Sequence, residues 1–202
     1  MTVVYLVRHG VTAHTGKRLS GRLPDIHLND QGRQQAEAAA TFLSEVPFQA
    51  IYSSPLERCW ETAEIIAARH RRLRVRRSAG FEEVEYGTWS NRTFPSLRRT
   101  RLWRTVQMWP SAARFPEGES IREVQTRAVD EMEALRAKHP RRRICCVSHA
   151  DVIKLVIAHY LGVHVDLYQR IVVEPASISI LGVGEYGPRL LALNQMPFKE
   201  RD

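Results

Sequence analysis

The sequence predicts an α/β protein, a three-layer α/β/α sandwich around a mostly parallel central sheet. Short apolar runs rich in β-branched residues alternate with longer segments whose apolar residues recur at helical spacing, the pattern of a parallel sheet covered by helices. The runs 3–7 and 144–148 are almost continuously apolar, as strands buried on both faces are. With 202 residues, the chain is long enough for one sizeable core and short for two, so residues 1–202 are expected to form a single domain.

The elements follow in order along the chain. Residues 3–7 make the first strand, which ends at Arg8-His9-Gly10. A loop with Gly16, Gly21 and Pro24 leads to Asn29-Asp30, which cap a helix carrying Ala36, Ala39, Ala40 and Leu43 and stopping before Pro47. A strand over 48–53 passes through Pro55 into a helix over 56–69, and a third strand spans 73–77. Aromatic, arginine and proline residues mix irregularly from 89 to 116, with a helix near 97–108. Glu119-Ser120 then open a long helix to about residue 139, where Val124, Ala128, Met132 and Leu135 recur at helical spacing. A strand over 143–148, a helix over 151–161, and strands near 171–173, 177–183 and 189–193 complete the sheet.

Hydrophobic residues make up 44% and charged residues 26% of the chain, ordinary for a soluble domain. No apolar run approaches the roughly 20 residues that span a bilayer. The N-terminus opens on a strand pattern instead of a basic segment and cleavage site, so a cytoplasmic location without membrane contact is expected. Cys59, Cys145 and Cys146 lack metal-ligand spacing and read as reduced core thiols. The net charge of +8 suits an anionic partner. Its local excess, Arg98, Arg99, Arg101 and Arg104 interleaved with Trp103 and Trp109, could contact nucleic acid. Arginines spread over the whole chain favour a solvated face or steering of small anions instead, so no nucleic-acid partner is expected.

In a mostly parallel sheet the ligand site lies beyond the carboxyl ends of the strands. His9 ends the first strand, Ser53-Ser54 end the second with Arg58 in the next helical turn, and His149 ends strand 143–148. Residues up to 140 positions apart thus arrive at one edge. Two histidines and two arginines there suit phosphoryl transfer. Guanidinium forks match phosphate oxygens, and neutral imidazole is a nucleophile near pH 7. Metal binding would need close ligand pairs that His9 and His149 do not offer. The other histidines singled out, His27, His70, His139, His159 and His164, read as surface or satisfied core residues.

The stretch Leu6-Val7-Arg8-His9-Gly10-Val11-Thr12 resembles the signature of the histidine phosphatase superfamily, also called phosphoglycerate mutase-like. The resemblance continues through Arg18-Leu19-Ser20-Gly21, Asp25 and Leu28 to Gly32 and Ala36. It extends to Ser53-Ser54-Pro55-Leu56-Glu57-Arg58-Cys59-Trp60-Glu61-Thr62-Ala63 and to Phe81-Glu82-Glu83-Val84-Glu85-Tyr86-Gly87-Thr88-Trp89. Pro116-Glu117-Gly118-Glu119-Ser120 and Val147-Ser148-His149-Ala150-Asp151 supply the last blocks.

The resemblance implies a phosphoglycerate mutase-like fold, with an irregular and helical insertion at about 90–116 covering the substrate. It implies that His9 becomes phosphohistidine while Arg8, Arg58 and His149 hold the transferred oxygens. Glu83, four residues before Gly87, would be the proton donor. Thr12 adds a hydroxyl, and Gly21 and Ala150 border the phosphate. The loop after His9 is one residue shorter than the common form and lacks its asparagine, so His14 or Thr15 takes that place. Ala150 replaces a usual glycine, and Trp89-Ser90-Asn91 replaces a frequent glutamate-glycine ending.

The reading favoured is hydrolysis of a small phosphorylated metabolite, such as a sugar phosphate, a phosphoglycerate-type acid or a ribazole phosphate. No metal and no cofactor are expected. A phosphomutase is the alternative, and only then would a bisphosphorylated cofactor be needed; its extra basic residues would come from Arg92, Arg98, Arg99, Arg101 and Arg104. A non-catalytic binding protein is the third reading, disfavoured because it has no use for a positioned acid. The oligomeric state is open, a homodimer included.

Overall fold

The computed structural model describes residues 1–198. Its strands are β1 (Thr2–Arg8), β2 (Ala50–Ser53), β3 (Val75–Arg77), β4 (Arg143–Ser148), β5 (Ile178–Gly184) and β6 (Gly187–Gln195). They form one sheet in the order β3-β2-β4-β1-β5-β6. The first four positions are parallel, while β5 runs antiparallel to β1 and β6 antiparallel to β5. Helices α1 (Asp30–Leu43) and α2 (Glu57–Ala68) cover one face; α5 (Ile121–Lys138) and α6 (Ala150–Tyr160) cover the other. The expected α/β/α layering is therefore present.

Adjacent residues of the central strands feed opposite cores, as the two-residue period of a strand requires. In β4, Cys146 packs into the core under α5 and α6, and Cys145 into the core under α1 and α2. All three cysteines are buried free thiols. Helix caps follow the sequence: Asn29 accepts from the Gly32 amide, and Ser120 and Glu123 form a reciprocal capping box at the start of α5. Among the described residues no helix is long and apolar enough to cross a membrane.

Three expectations need correction. The helix over 97–108 is two helices, α3 (Phe94–Leu97) and α4 (Arg101–Met108), because Thr100 turns extended and its hydroxyl accepts the Trp103 amide, starting a new helix. No strand forms at 171–173. A 3-10 helix runs to Arg170, and the Val173 carbonyl accepts from the Arg8 guanidinium at 2.8 Å, so it serves a side chain in place of a ladder. Strands expected from 48 and 73 begin at Ala50 and Val75, since Phe48 and Leu73 donate to local turns at Val46 and His70.

The N-terminus of α1 lies directly on the loop after β1. Asn29 N–H donates to the Val11 carbonyl, and the Gln35 side chain accepts from Val11 N–H. A Cβ at Gly32 would sit 2.0 Å from the Val11 oxygen, and one at Gly10 would sit 2.4 Å from the Gly32 oxygen. Neither contact can relax, because both partners are backbone. Gly32→Ala is therefore expected to cost about 1–3 kcal/mol, as forced overpacking does, read as a lower urea midpoint. An unchanged midpoint would refute this close approach.

Candidate active site

The register of the parallel strands sets the site. Arg8 pairs with Ser148, and Ser53 with Val147, so β1, β4 and β2 end side by side. One residue on, His9 N–H donates to the Ser148 carbonyl and Ser54 N–H to that of Val147. Arg58 lies in the first turn of α2, and His149 caps α6. Thr62 ties these pieces together: its hydroxyl donates to the Arg58 carbonyl at 2.8 Å and accepts from Gly10 N–H at 3.3 Å.

His9 is 6% exposed. Its Nδ1 lies 2.7 Å from the Gly10 carbonyl, which can only accept, so Nδ1 carries the proton and Nε2 keeps its lone pair. Burial, then the charges of Arg58 and Arg8, hold its pKa well below the ordinary histidine value. The ring is thus neutral at physiological pH, with the Nε2 lone pair uncommitted.

Arg58 is 1% exposed. One terminal nitrogen donates to the Gly21 carbonyl at 2.8 Å and approaches His149 Nδ1 at 3.3 Å, while Nη1 is buried without a protein partner. Arg8 Nε is likewise buried and unpartnered. Orphaned guanidinium donors beside a neutral imidazole are what a dianionic phosphoryl group would satisfy. The N-terminus of α6, where Ala150 lines the same cavity, adds the positive end of a helix dipole.

Glu83 occupies the wall beside these groups, its side chain 14% exposed and Oε2 3.6 Å from His149 Nδ1. Burial and the neighbouring Asp151 charge push its pKa up to about 7, against the opposing pull of Arg58, the Val84 amide and Arg8. Glu82 and Glu85 turn away: both face Arg22. A carboxylic acid next to a nucleophile of depressed pKa can donate a proton while the imidazole attacks.

The cavity has a volume of about 320 Å³. Of the residues expected there, Arg8, His9, Thr12, Thr15, Arg58, Glu83 and Ala150 line it. Three do not. His149 lies fully buried behind the wall, its Nε2 2.9 Å from Ser54 Oγ. A guanidinium only donates, so His149 Nδ1 accepts from Arg58 and Nε2–H serves Ser54. His14 bonds Ser20 and supports the Thr12 loop, while Thr15 is the one of the two that lines the cavity. Gly21 acts through its carbonyl on Arg58.

Sequence reasoning missed the clamp on the acid. Arg127, on α5, donates to the carbonyls of Gly80, Glu82 and Glu83 and pairs with Glu119 at 2.7 Å; Arg22 also donates to the Glu83 carbonyl. Glu119 belongs to a recognised block, but the helical pattern around Arg127 reads as a surface face. Backbone carbonyls carry no sequence signal, so the pairing was invisible.

Residues 4–196 match the family described as Histidine phosphatase superfamily (branch 1). The chain is 33% identical over 156 residues to phosphoglycerate mutase-like protein 4 of Arabidopsis thaliana, covering 75% of this chain and 67% of that one. It is 32% identical over 194 residues to an acid phosphatase of Mycobacterium tuberculosis, covering 93% and 89%. A solved phosphoserine phosphatase mutant of Entamoeba histolytica, in complex with phosphoserine, superposes with a TM-score of 0.88 at 29% identity, covering 97% of this chain and 98% of that one.

The raised pKa of Glu83 has a stability signature. In the folded protein Glu83 holds a proton that the unfolded chain, at an ordinary 4.5, releases. The stability this lends is full below pH 4.5 and is lost as pH rises to about 7. Glu83→Gln keeps the Val84 contact and removes the titration. Its melting temperature should therefore gain on the native chain between these pH values and hold that gain at pH 8. A difference independent of pH would contradict the perturbed carboxyl.

Proposed function

The chain belongs to the histidine phosphatase superfamily, and on that premise we propose that it hydrolyses small phosphomonoesters through a phosphohistidine formed on His9. The observation that carries the proposal is the bare Nε2 of His9 beside unpartnered donors of Arg8 and Arg58, with a protonated Glu83 on the same wall. Relatives named as acid phosphatase and phosphoserine phosphatase support the same reaction class.

In the first half-reaction Nε2 attacks phosphorus and forms the N–P bond. The ester P–O bond breaks, its electron pair stays on the leaving oxygen, and Glu83 supplies the proton that makes it an alcohol. In the second, Glu83 as carboxylate takes a proton from water, whose oxygen attacks phosphorus. The N–P bond then breaks, phosphate leaves and Glu83 is reprotonated. Arg8 and Arg58 match the charge spreading over the equatorial oxygens, and loss of one such donor typically costs about 2.7–4 kcal/mol. His149 stands behind Arg58 and Glu83 and sets their positions. No step draws on a metal or an organic cofactor.

Hydrolysis is preferred to mutase chemistry because a mutase must grip a second anionic group. Arg98, Arg99, Arg101 and Arg104 are exposed, and neither they nor Arg92 lines the cavity. Arg18 is the one further arginine on the wall among the described residues, and it donates to Asn91. A bisphosphorylated cofactor therefore has little to hold its second phosphate. A cytoplasmic location is also our proposal, supported by the three free thiols.

Two measurements test the reaction. With chelator present, the protein should release phosphate from a chromogenic phosphomonoester and, on rapid quenching, carry an acid-labile phosphoryl label. His9→Ala should lose both; turnover surviving that substitution would remove His9 as nucleophile. For an alkyl phosphate, kcat/KM should fall above about pH 7, as Glu83 loses its proton, and fall on the acid side only well below pH 6.5, as His9 gains one. Glu83→Gln should lower kcat/KM by about 10²–10⁴-fold and abolish the alkaline limb. An unchanged limb would assign it to another group.

A further inference from the structure

The cavity wall facing the phosphate cradle is aromatic. Trp103 of α4 stacks over Trp89 with ring centroids 6.4 Å apart and planes 23° apart, and Phe94 meets Trp103 edge-on at 6.1 Å. Trp89 in turn packs against Phe115 at 5.4 Å. Leu19 and Val106 close the gaps. Trp89 and Phe115 are buried, but Trp103 and Phe94 are half-buried and line the cavity. Their positions are held from below: Leu19 N–H donates to the Arg92 carbonyl, Asn91 N–H to that of Leu19 and Phe94 N–H to that of Lys17. The wall is thus laced by backbone hydrogen bonds to the loop that follows His9.

One cation borders this side: Arg18 is exposed and bonds only the neutral Asn91, with no carboxylate partner among the described residues. Arg18 donates to the backbone and side-chain oxygens of Asn91 at 2.9 and 3.4 Å, and Asp151 accepts from Tyr86 and faces Lys154 at 3.5 Å. A carboxylate or second phosphate lying on the faces of Trp103 and Phe94 would be stripped of water there. Neutral polar groups on the same lining include the amides of Gln107 and Gln169. A flat ring fits this wall by stacking, and its ring heteroatoms or hydroxyls fit the amides.

We propose that the leaving alcohol carries an apolar planar ring that stacks on Trp103 and Phe94, so that these two side chains decide which phosphomonoesters are hydrolysed. This rests on the hydrolase reading above and adds the substrate class to it.

The test compares kcat/KM for 2-phenylethyl phosphate, ethyl phosphate and phosphoserine, alkyl esters whose alcohols leave with similar ease. The phenylethyl ester should be preferred by about tenfold or more over both others, the scale at which an apolar pocket discriminates. Trp103→Ala and Phe94→Ala should each bring the phenylethyl-to-ethyl ratio toward one while ethyl phosphate is still hydrolysed; Trp103→Phe, which keeps a ring, should retain most of it. Because the ratio is taken within one preparation, partial unfolding of a variant does not alter it. Equal rates, a preference for phosphoserine, or a ratio untouched by both alanine variants would overturn the aromatic subsite and leave the hydrolase reading standing. Hydrolysis of none of the three esters, nor of any other phosphomonoester, would overturn that reading and the subsite with it.

Discussion

The buried guanidinium of Arg58 is the constraint on which the site depends. A charge taken out of water costs several kcal/mol unless hydrogen bonds and an opposite charge offset it. Here the protein supplies part of that compensation, through the Gly21 carbonyl and His149 Nδ1, and leaves Nη1 buried without a protein partner. In the proposed reaction the transferred phosphoryl group would supply the rest. The same charge reaches its neighbours: it helps keep His9 neutral and opposes the rise in the Glu83 pKa.

The two titratable groups that would carry the reaction are driven to opposite protonation states by one environment. Burial disfavours the charged form of each, so the imidazole stays bare and the carboxyl stays protonated. Asp151 adds to the effect on Glu83, while the Arg22–Arg127–Glu119 network holds the loop through its backbone. Gly87, with φ of 52°, lets this loop turn where a Cβ would meet the Pro116 carbonyl at 1.9 Å. The placement of the Glu83 loop therefore depends on Arg22, Gly87, Glu119 and Arg127, none of which lines the cavity.

The segment over 90–116 divides its residues by helix face. Trp103 and Val106 of α4 turn to the cavity, while Arg101 and Arg104 turn to solvent. Composition alone made this segment look basic and suited to anions. Once folded, it presents aromatic surface inward, because a three- to four-residue period separates the two classes of side chain. On the proposals above, the sheet edge carries the chemistry at phosphorus and this cover selects the leaving group.

The sequence by itself determined the layers, the strands that deliver His9, Arg58 and His149, and the caps at Asn29 and Ser120. Those features are written in local patterns: continuous apolar runs for buried strands, a capping residue before a helical period, and motif residues at strand ends. The break at Thr100, the loss of a strand at 171–173 and the clamp by Arg127 were not legible. Each turns on a hydrogen bond whose worth depends on what lies nearby in space, namely a hydroxyl taking an amide, the Val173 carbonyl taken by Arg8, and carbonyls of the Glu83 loop taken by α5. Tertiary structure likewise decided that His149 stands behind the wall, that Thr15 and not His14 reaches the cavity, and that the arginines of α4 point away from it. Side-chain direction and burial are properties of packing, and no spacing in the chain encodes them.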